Sequence, residues 1–526
     1  MSLQFKMFVK FIIFTTVLSY AHAYRILGIF PLNGPSHNML FRSLMTGLAR
    51  RGHQVDVITH FPEKSPPKNY KDVVDLSGTM GDLTNNFTID FIMGVKDDIV
   101  VPIATLYGNN LCDLMGLKEI QEIIHSPPRD PPYDVIITEV FGANCFMGIG
   151  YHLKIPVVIV SSALEYPWIN DLTGNDDNPA TVPNALFTAF GGMNFWQRLQ
   201  NTVMYHNEVK KFHALTETSQ TESMRKHINP NMPSIRVIEK NSALILVNSH
   251  HILFGVKPAL PTLVPIGGLH VEESDSTLSK DLQKWMDQSR DGVVYFTFGS
   301  MVITESLPEN ILSIFFNCFA KLSPTRVLMK IADKSKVTLS IPENILSMPW
   351  IPQRAVLAHN NTRAFVTHGG LMGTFEALYY GIPMIGVPLF ADQPRNVEAL
   401  VAKNMSIKLP FDELTEESLD AALATILFDA KYKKSAEHYS KLFRDQPMSA
   451  MTRAAYWIEY VARNGPDSLR PPSLELTWWQ LALLDVYGFI ISIAMIVMVI
   501  SYLGIRFVVL NLIFGPTHEV RSKKLN

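Results

Sequence analysis

The sequence predicts an α/β protein with two Rossmann-like domains facing a cleft, followed by one C-terminal transmembrane helix. Three observations support this prediction. Short apolar runs alternate with helix-period stretches between residues 24 and 450. Polar side chains stand where several of these runs end. Val486 to Ile505 contains no charged residue and is long enough to span a bilayer.

The N-terminal residues 1–23 are typical of a signal peptide. Lys6 and Lys10 accompany a short apolar run, Met7 to Leu18, and Ala21-His22-Ala23 supplies a small-x-small cleavage site. An uncleaved signal anchor is the alternative.

Residues 24–270 are predicted to form the first Rossmann-like domain. Clusters of Gly, Asn, Asp and Pro between residues 162 and 234 indicate loops with intervening helices. A helix is predicted from Asn38 to Arg51, ended by Gly52. The predicted strands are Arg25–Phe30, Gln54–Thr59, Asp134–Glu139, Pro156–Val160 and Ala243–Asn248.

A second set of strands begins after a polar stretch, so we place a domain boundary near residues 268–290. Residues 285–450 are predicted to form the second Rossmann-like domain, and residues 451–485 a return helix and juxtamembrane segment. The predicted strands of this half are Val293–Phe298, Arg326–Ile331, Ala364–Thr367 and Met384–Pro388.

The C-terminal run 486–505 is predicted to cross a membrane, with residues 506–526 as a cytoplasmic tail. Aromatic residues at its start and basic residues after it are typical of a single-pass type I protein whose main part is luminal. The last residues, Lys523-Lys524-Leu525-Asn526, resemble the dilysine retrieval signal of the endoplasmic reticulum. The alternative for the run 486–505 is a helix buried in the protein core. The aromatic residues at its start are Trp478, Trp479 and Tyr487, and the basic residues after it are Arg506, Arg521, Lys523 and Lys524.

Composition narrows the function classes. The formal net charge of −2 gives no electrostatic case for a nucleic-acid partner. The three cysteines, Cys112, Cys145 and Cys318, allow one disulfide, but the sequence does not determine which two form it. The spacing of the Cys and His residues does not indicate a metal site. Glycosylation sequons begin at Asn86, Asn360 and Asn404 if these residues are luminal. A homo-oligomer is left open.

Polar residues at the ends of predicted strands point to a site between the two domains. His37 is placed in the loop after the first strand, and Glu139 ends the strand that starts at Asp134. Ser300 and His368 follow two strands of the second half, and Asp392-Gln393 follow another. Open parallel sheets bind ligands at this edge, so two facing edges predict an interdomain cleft.

The segment from Met348 to Gln393 is the most informative part of the chain. His368-Gly369-Gly370 is predicted to be a strand-to-helix turn, where backbone N–H groups can bind a diphosphate. Glu376 lies about two turns along the same helix and can accept hydrogen bonds from ribose. Trp350 offers a flat face to a base, although a lone Trp is more often part of a core.

Together these residues resemble the signature of the UDP-glycosyltransferase superfamily, in its membrane-bound, insect-like animal branch. The resemblance also includes Asn248-Ser249, Pro265-Ile-Gly-Gly268 and Phe298-Gly-Ser300. It implies the GT-B fold and the inverting transfer of a hexose from a UDP-sugar to a hydroxyl of a small lipophilic acceptor, without a metal or other cofactor. Detoxification or conjugation is the implied setting.

The resemblance also implies roles for individual residues. His37 would be the general base and Glu139 its partner, where relatives commonly have Asp. Met372 and Gly373 stand where many relatives have Asn and a small polar residue. The donor residues would be Trp350 and Gln353 for the nucleoside, Ser300, His368, Gly369 and Gly370 for the diphosphate, Glu376 for ribose, and Asp392 and Gln393 for the sugar.

Two alternatives compete with catalysis of hexosyl transfer. A non-catalytic luminal protein could bind a UDP-sugar or a lipophile, but the presence of His37 argues against lost chemistry. A nucleotide-sugar epimerase would need a dinucleotide fingerprint, and Gly148-x-Gly150 is followed by Leu153 where the third glycine belongs. Glucose is the expected sugar, with glucuronic acid second, and residues 60–125 and 162–235 carry no readable code for the acceptor.

Overall fold

The computed structural model describes residues 23–515, apart from residues 82, 176, 188–191, 274 and 275. The predicted signal peptide, except Ala23, and the dilysine end lie outside the described residues. The chain divides into two compact units, one reaching to Arg470 and the other starting at Pro471.

The N-terminal half contains a seven-stranded parallel sheet with the strand order β3-β2-β1-β4-β5-β6-β7. Its central strands are buried along most of their length, which explains why they were visible as continuous apolar runs. The strands are β1 Arg25–Phe30, β2 Gln54–Thr59, β3 Tyr70–Asp75, β4 Val135–Glu139, β5 Val157–Ser161, β6 Ser242–Val247 and β7 Leu263–Pro265.

The C-terminal half contains a six-stranded parallel sheet with the order β10-β9-β8-β11-β12-β13. Two parallel sheets therefore agree with the predicted pair of Rossmann-like halves. The strands are β8 Val293–Thr297, β9 Arg326–Lys330, β10 Ile345–Met348, β11 Thr362–Thr367, β12 Met384–Gly386 and β13 Ser406–Lys408.

Helices connect the strands and cover both faces of each sheet. Those of the N-terminal half are Pro35–Arg50, Ile89–Val95, Val100–Thr105, Lys118–His125, Met147–Leu153, Pro167–Asn170, Phe195–His227, Ile235–Glu239, His251–Phe254 and Leu269–Glu272. Those that follow are Lys280–Gln288, Glu309–Ala320, Gln353–Ala358, Leu371–Tyr380, Gln393–Val401, Glu416–Phe428, Ala430–Arg444, Ala450–Asn464, Trp478–Leu481 and Leu484–Phe514.

Four strands were not predicted, and all four lie at or next to a sheet edge. β7 and β13 have three residues each and β10 has four, which is too short for a clear apolar run. β3 carries Lys71, Asp72 and Asp75, since an edge strand is solvated on one side. Edge strands therefore lack the periodicity that marked the central ones.

The first helix begins earlier than predicted, and this changes the placement of His37. The helix starts at Pro35, whose fixed φ suits the first helical position, and ends at Arg50. His37 therefore stands in the first helical turn, and its predicted position in a loop was wrong. The helix start fixes the direction of the imidazole more firmly than a loop would.

The two halves exchange segments, so their cores are continuous. The helix Ala450–Asn464 packs against the N-terminal sheet through Ala454, Ile458 and Val461. In the opposite direction, Phe87 and Ile92 of the N-terminal half join the core of the C-terminal sheet. These contacts fix the position of the two sheets relative to each other.

A disulfide joins Cys112 to Cys145, and Cys318 is free and buried. The sequence had left this pairing open. The bond connects the 3-10 segment Asn109–Gly116 with the 3-10 segment Asn144–Phe146, which follows β4.

The C-terminal unit contains one helix that is long and apolar enough to cross a membrane. Leu484–Phe514 has 31 residues, and its most apolar 18-residue window has a mean hydropathy of 2.4 with no buried residue. At about 1.5 Å per residue it exceeds the ~30 Å core of a bilayer. The helix extends beyond the predicted limits 486–505 and continues through Arg506 to Phe514, while the part that crosses the membrane stays a prediction.

Candidate active site

A cavity of about 430 Å³ lies between the carboxyl edges of the two sheets. Its lining includes every residue proposed for the site except Glu139 and Gly369, which lie directly behind it. Glu139 is held against His37, which lines the cavity. Gly369 stands beside His368, which also lines it. The cleft predicted from polar residues at strand ends is therefore present, and it collects these side chains from both halves.

His37 and Glu139 form a close pair at one end of the cavity. His37 Nδ1 lies 2.5 Å from Glu139 Oε1, and the Glu139 side chain is 2% exposed against 16% for His37. The ring of Phe141 meets the imidazole edge-on at 4.9 Å between centroids. The carboxylate holds Nδ1, so Nε2 is the nitrogen that remains to face a ligand.

Ser162 belongs to the same cluster and was not predicted. Its Oγ lies 2.7 Å from His37 Nδ1 and donates to Glu139 Oε1 at 3.0 Å. The residue directly follows β5, the neighbour of the strand that ends at Glu139. The same rule that selected Glu139, a polar residue at a strand end, could have selected Ser162.

His368 and the glycines around it form a compact turn at the start of the helix Leu371–Tyr380. A Cβ at Gly299 or at Gly370 would stand 2.7 Å from the His368 ring, so both positions need glycine for the ring to fit. Gly369 has φ +81°, a conformation that favours glycine. The turn therefore brings backbone N–H groups to the cavity at a helix start, where an anion is favoured.

Lys330 is a second residue that the sequence reasoning missed, although it stands at the end of a predicted strand. Its Nζ donates to Gly299 O at 2.6 Å and to Ser300 O at 3.3 Å, and it lies 5.9 Å from the centroid of the Trp350 ring. Burial lowers the pKa of Lys330 to about 8. Burial and this neighbouring lysine lower the pKa of His368 to about 3, so His368 is neutral near pH 7.

Trp350, Gln353 and Glu376 form a second group of side chains in the cavity lining, supplied by the C-terminal half. Gln353 Nε2 donates to Glu376 Oε2 at 2.5 Å, and the Tyr295 hydroxyl donates to Gln353 Oε1 at 3.2 Å. Glu376 Oε1 is buried and makes no hydrogen bond. Burial raises the pKa of Glu376 to about 7. Trp350 is 52% exposed and so is not a core residue, which leaves its face accessible.

Asp392 and Gln393 line the same cavity, at the start of the helix Gln393–Val401. Asn396 Nδ2 donates to Asp392 Oδ2 at 2.7 Å, while burial raises the pKa of Asp392. The N–H groups of Leu389 and Phe390 donate to Gln393 Oε1. These two hydrogen bonds fix the side-chain amide of Gln393 through its oxygen, so its Nε2 points away from the two backbone N–H groups.

Met372 and Gly373, which stand where many relatives have Asn and a small polar residue, each have a specific neighbour in the structure. Asn248 Nδ2 donates to Met372 Sδ at 3.5 Å, so the thioether contacts the N-terminal half. A Cβ at Gly373 would lie 3.1 Å from Gln353 Nε2. The glycine therefore provides the space in which Gln353 reaches Glu376.

The part of the cavity next to His37 is lined by apolar side chains. The chain segment around Asn85 and Phe87, which forms part of this lining, also contacts the backbone at Ser300 and Val302. Asn85 N donates to Ser300 O, and Phe87 pairs with Val302 in a parallel bridge. The segment that closes this part of the cavity thus contacts the turn that carries Ser300. The apolar lining includes Phe91, Val95, Ile99, Ile103, Phe141 and Phe390.

No cluster of three or more His, Cys, Asp or Glu side chains suited to a metal ion occurs among the residues that the structure describes. The expectation that the chemistry needs no metal stays a prediction. The roles assigned to the individual site residues also stay predictions, although the cavity brings the residues together.

Sequence comparison identifies relatives across most of the chain. A family model described as "UDP-glucoronosyl and UDP-glucosyl transferase" matches residues 28–515. UDP-glucosyltransferase 2 of Dactylopius coccus is 34% identical over 488 residues, which cover 91% of this chain and 92% of that protein. UDP-glucuronosyltransferase 2B19 of Macaca fascicularis is 29% identical over 488 residues, covering 89% and 90% of the two chains.

Comparison with solved structures supports the fold. Phytolacca americana UGT2, complexed with UDP-2fluoro-glucose and pterostilbene, aligns with a TM-score of 0.57 and 16% identity. The match covers 84% of this chain and all of that one. A UDP-glucosyltransferase of Polygonum tinctorium aligns with a TM-score of 0.54, covering 87% of this chain and all of that one, also at 16% identity. With the two parallel sheets, these neighbours confirm the GT-B fold.

Proposed function

Because the chain belongs to the UDP-glucuronosyl and UDP-glucosyl transferase family, we propose that it transfers glucose from UDP-glucose to a hydroxyl group of a small lipophilic acceptor. One observation carries the proposal. An imidazole paired with a buried carboxylate faces an apolar space, and a Trp face and a second buried carboxylate line the same cavity. The acceptor would lie against Phe91 and Phe141, and the nucleotide against Trp350.

The proposed reaction inverts the anomeric carbon. The acceptor oxygen attacks that carbon while its proton passes to His37 Nε2, and the bond from the carbon to the diphosphate oxygen breaks with its electron pair leaving on UDP. Glu139 would stabilise the imidazolium through Nδ1–H. The developing charge on the diphosphate would be met by the Gly370 helix start, by Ser300 and by the neutral His368 as a hydrogen-bond donor.

A neutral sugar fits the charges around Asp392 better than a uronic acid does. A carboxylate on the donor sugar would lie near the Asp392 carboxyl and would repel its ionised form. Two cations of the cavity lining are bound to carbonyl oxygens, since Lys330 donates to Gly299 O and Arg354 donates to His270 O at 2.6 Å. These charges favour glucose over glucuronic acid as the transferred group.

A donor panel tests both the activity and the sugar. With UDP-glucose, UDP-glucuronate, UDP-galactose and UDP-N-acetylglucosamine against a phenol and a steroid, we expect kcat/KM for UDP-glucose to exceed that for UDP-glucuronate by at least about ten-fold. One misplaced charge contact of ~1.4 kcal/mol is sufficient for this ratio. A preference for UDP-glucuronate would overturn the donor assignment. Binding of UDP without product from any donor would favour the non-catalytic alternative.

The affinity for UDP-glucose should depend on pH through Glu376. The pKa of this carboxyl is raised to about 7, so it is protonated below that pH and accepts ribose hydroxyl hydrogen bonds less well. We expect the Kd of UDP-glucose, measured by calorimetry, to rise as the pH falls from about 7 to 6. The variant Glu376→Gln cannot titrate and should bind more weakly with little change over this range. An equally steep pH dependence in that variant would assign the effect to another group.

For location, we propose a single-pass type I protein of the endoplasmic reticulum membrane with both halves in the lumen, suited to conjugating lipophilic compounds there. The apolar helix Leu484–Phe514 supports a membrane anchor. Protease added to intact microsomes should remove only the residues after this helix. Digestion of the whole chain would contradict the orientation.

A further inference from the structure

Three polar atoms converge on one point beside the cavity. His37 Nδ1 lies 2.5 Å from Glu139 Oε1 and 2.7 Å from Ser162 Oγ. Ser162 Oγ lies 3.0 Å from Glu139 Oε1. Glu139 and Ser162 are each 3% exposed, so water does not compete strongly for these contacts. The arrangement is therefore a buried cluster of three side chains and not only a pair.

Counting the available hydrogens assigns the donor of each of the two hydrogen bonds to Glu139. An ionised carboxylate only accepts, and His37 must keep Nε2 free toward an acceptor, so Nδ1 carries the hydrogen given to Glu139. The Ser162 hydroxyl then donates its own hydrogen to the same Oε1. Two donors meet on one carboxylate oxygen, while Glu139 Oε2 is buried and has no hydrogen-bond partner. The orientation of the carboxylate thus depends on the contacts at Oε1.

Adjacent strands deliver the three residues, and this gives the cluster a defined geometry. β1, β4 and β5 are neighbours in the sheet. His37 stands at the start of the helix after β1, Glu139 ends β4, and Ser162 follows β5. Asn248, which is fully buried, donates from Nδ2 to Ser162 O at 2.9 Å and fixes the serine backbone.

Glutamate has one more rotatable bond than aspartate, which makes a second contact useful. A glutamate paired only with the histidine could rotate its carboxylate away from the line of Nδ1–H. The Ser162 hydroxyl opposes this rotation because it binds the same oxygen from another direction. The second contact thereby restricts the rotation of the longer side chain.

We propose that Ser162 is a positioning residue of the general base, because its hydroxyl holds Glu139 Oε1 in line with His37 Nδ1. This inference rests on the proposed transferase activity. It assigns to Ser162 no contact with the donor nucleotide and no proton transfer of its own. Its effect should therefore fall on kcat, and it should depend on the charge of Glu139.

The test compares Ser162→Ala with Ser162→Thr and with a matched control. Ser161→Ala removes a hydroxyl that is equally buried and one residue away, but that hydroxyl donates to Ala163 O and not to the cluster. With UDP-glucose and a phenolic acceptor, Ser162→Ala should lower kcat by about 10-fold to 100-fold, the range for a lost hydrogen bond to a charged group. Ser162→Thr should recover most of the rate, and Ser161→Ala should stay near wild type.

A double-mutant cycle separates positioning from a general structural effect. In the background of Glu139→Gln, the further change Ser162→Ala should lower kcat by less than about three-fold, because residues that act as one unit are not additive. The Kd for UDP should be unchanged throughout. An equal loss of kcat in both backgrounds, or a wild-type rate in Ser162→Ala, would overturn the proposal. Absence of product with the wild-type protein would instead contradict the transferase activity itself.

Discussion

Replacing His37 by alanine should lower kcat by about 10²–10⁴-fold, the range typical for loss of a general base, with the affinity for UDP unchanged. A neutral hydroxyl is a poor nucleophile, and His37 is the imidazole that lines the cavity with a buried carboxylate on its Nδ1. UDP should bind normally because Trp350 and Glu376, which are proposed to bind the nucleotide, belong to the other half of the chain. Turnover of a phenolic acceptor at pH 7 and calorimetry with UDP measure the two quantities separately.

The matched control for this variant is His125→Ala. His125 is exposed at the end of the helix Lys118–His125 and hydrogen-bonds only to Gln121 within its own helix. It should leave kcat and UDP affinity near wild type. A turnover rate of His37→Ala close to that of the wild type would contradict the assignment of His37 as the base. A loss of UDP affinity together with kcat would instead indicate that the cavity is misfolded in this variant.

The position of the cleft could be predicted because the carboxyl ends of buried parallel strands are visible in the sequence. β1, β4, β8 and β11 are continuous apolar runs, so the polar residues that follow them stand out. Ser162 and Lys330 follow the same rule. They were overlooked because a serine after a strand is common, and because a lysine inside an apolar run suggests a side chain that extends to solvent.

The contacts between the halves could not be predicted, because they depend on residues far apart in the chain. Phe87 pairs with Val302 across more than two hundred residues, and Ala454 packs on the N-terminal sheet. No local periodicity encodes such pairings. The same limit applies to the disulfide, for which three cysteines allow several choices until the fold brings Cys112 and Cys145 together.

The variant Asp392→Asn should lower kcat/KM for UDP-glucose by about 100-fold while leaving the affinity for UDP unchanged. Asp392 lines the cavity together with His37 and Glu376, and Asn396 already donates to its Oδ2. Sugar hydroxyls that donate to its remaining acceptor sites would lose charged hydrogen bonds worth ~3 kcal/mol in total. UDP carries no sugar at this position, so calorimetry with UDP and kinetics with UDP-glucose distinguish the two parts of the donor.

Asp412→Asn is the control for the change of charge. Asp412 is exposed and pairs with Lys96 at the surface, an interaction worth roughly 0–1 kcal/mol. It should not alter either quantity. If Asp392→Asn weakens UDP as strongly as UDP-glucose, Asp392 acts on the nucleotide and not on the sugar. If it alters neither, the transferred sugar lies elsewhere in the cavity, and the electrostatic reason for preferring glucose over glucuronic acid is lost with it.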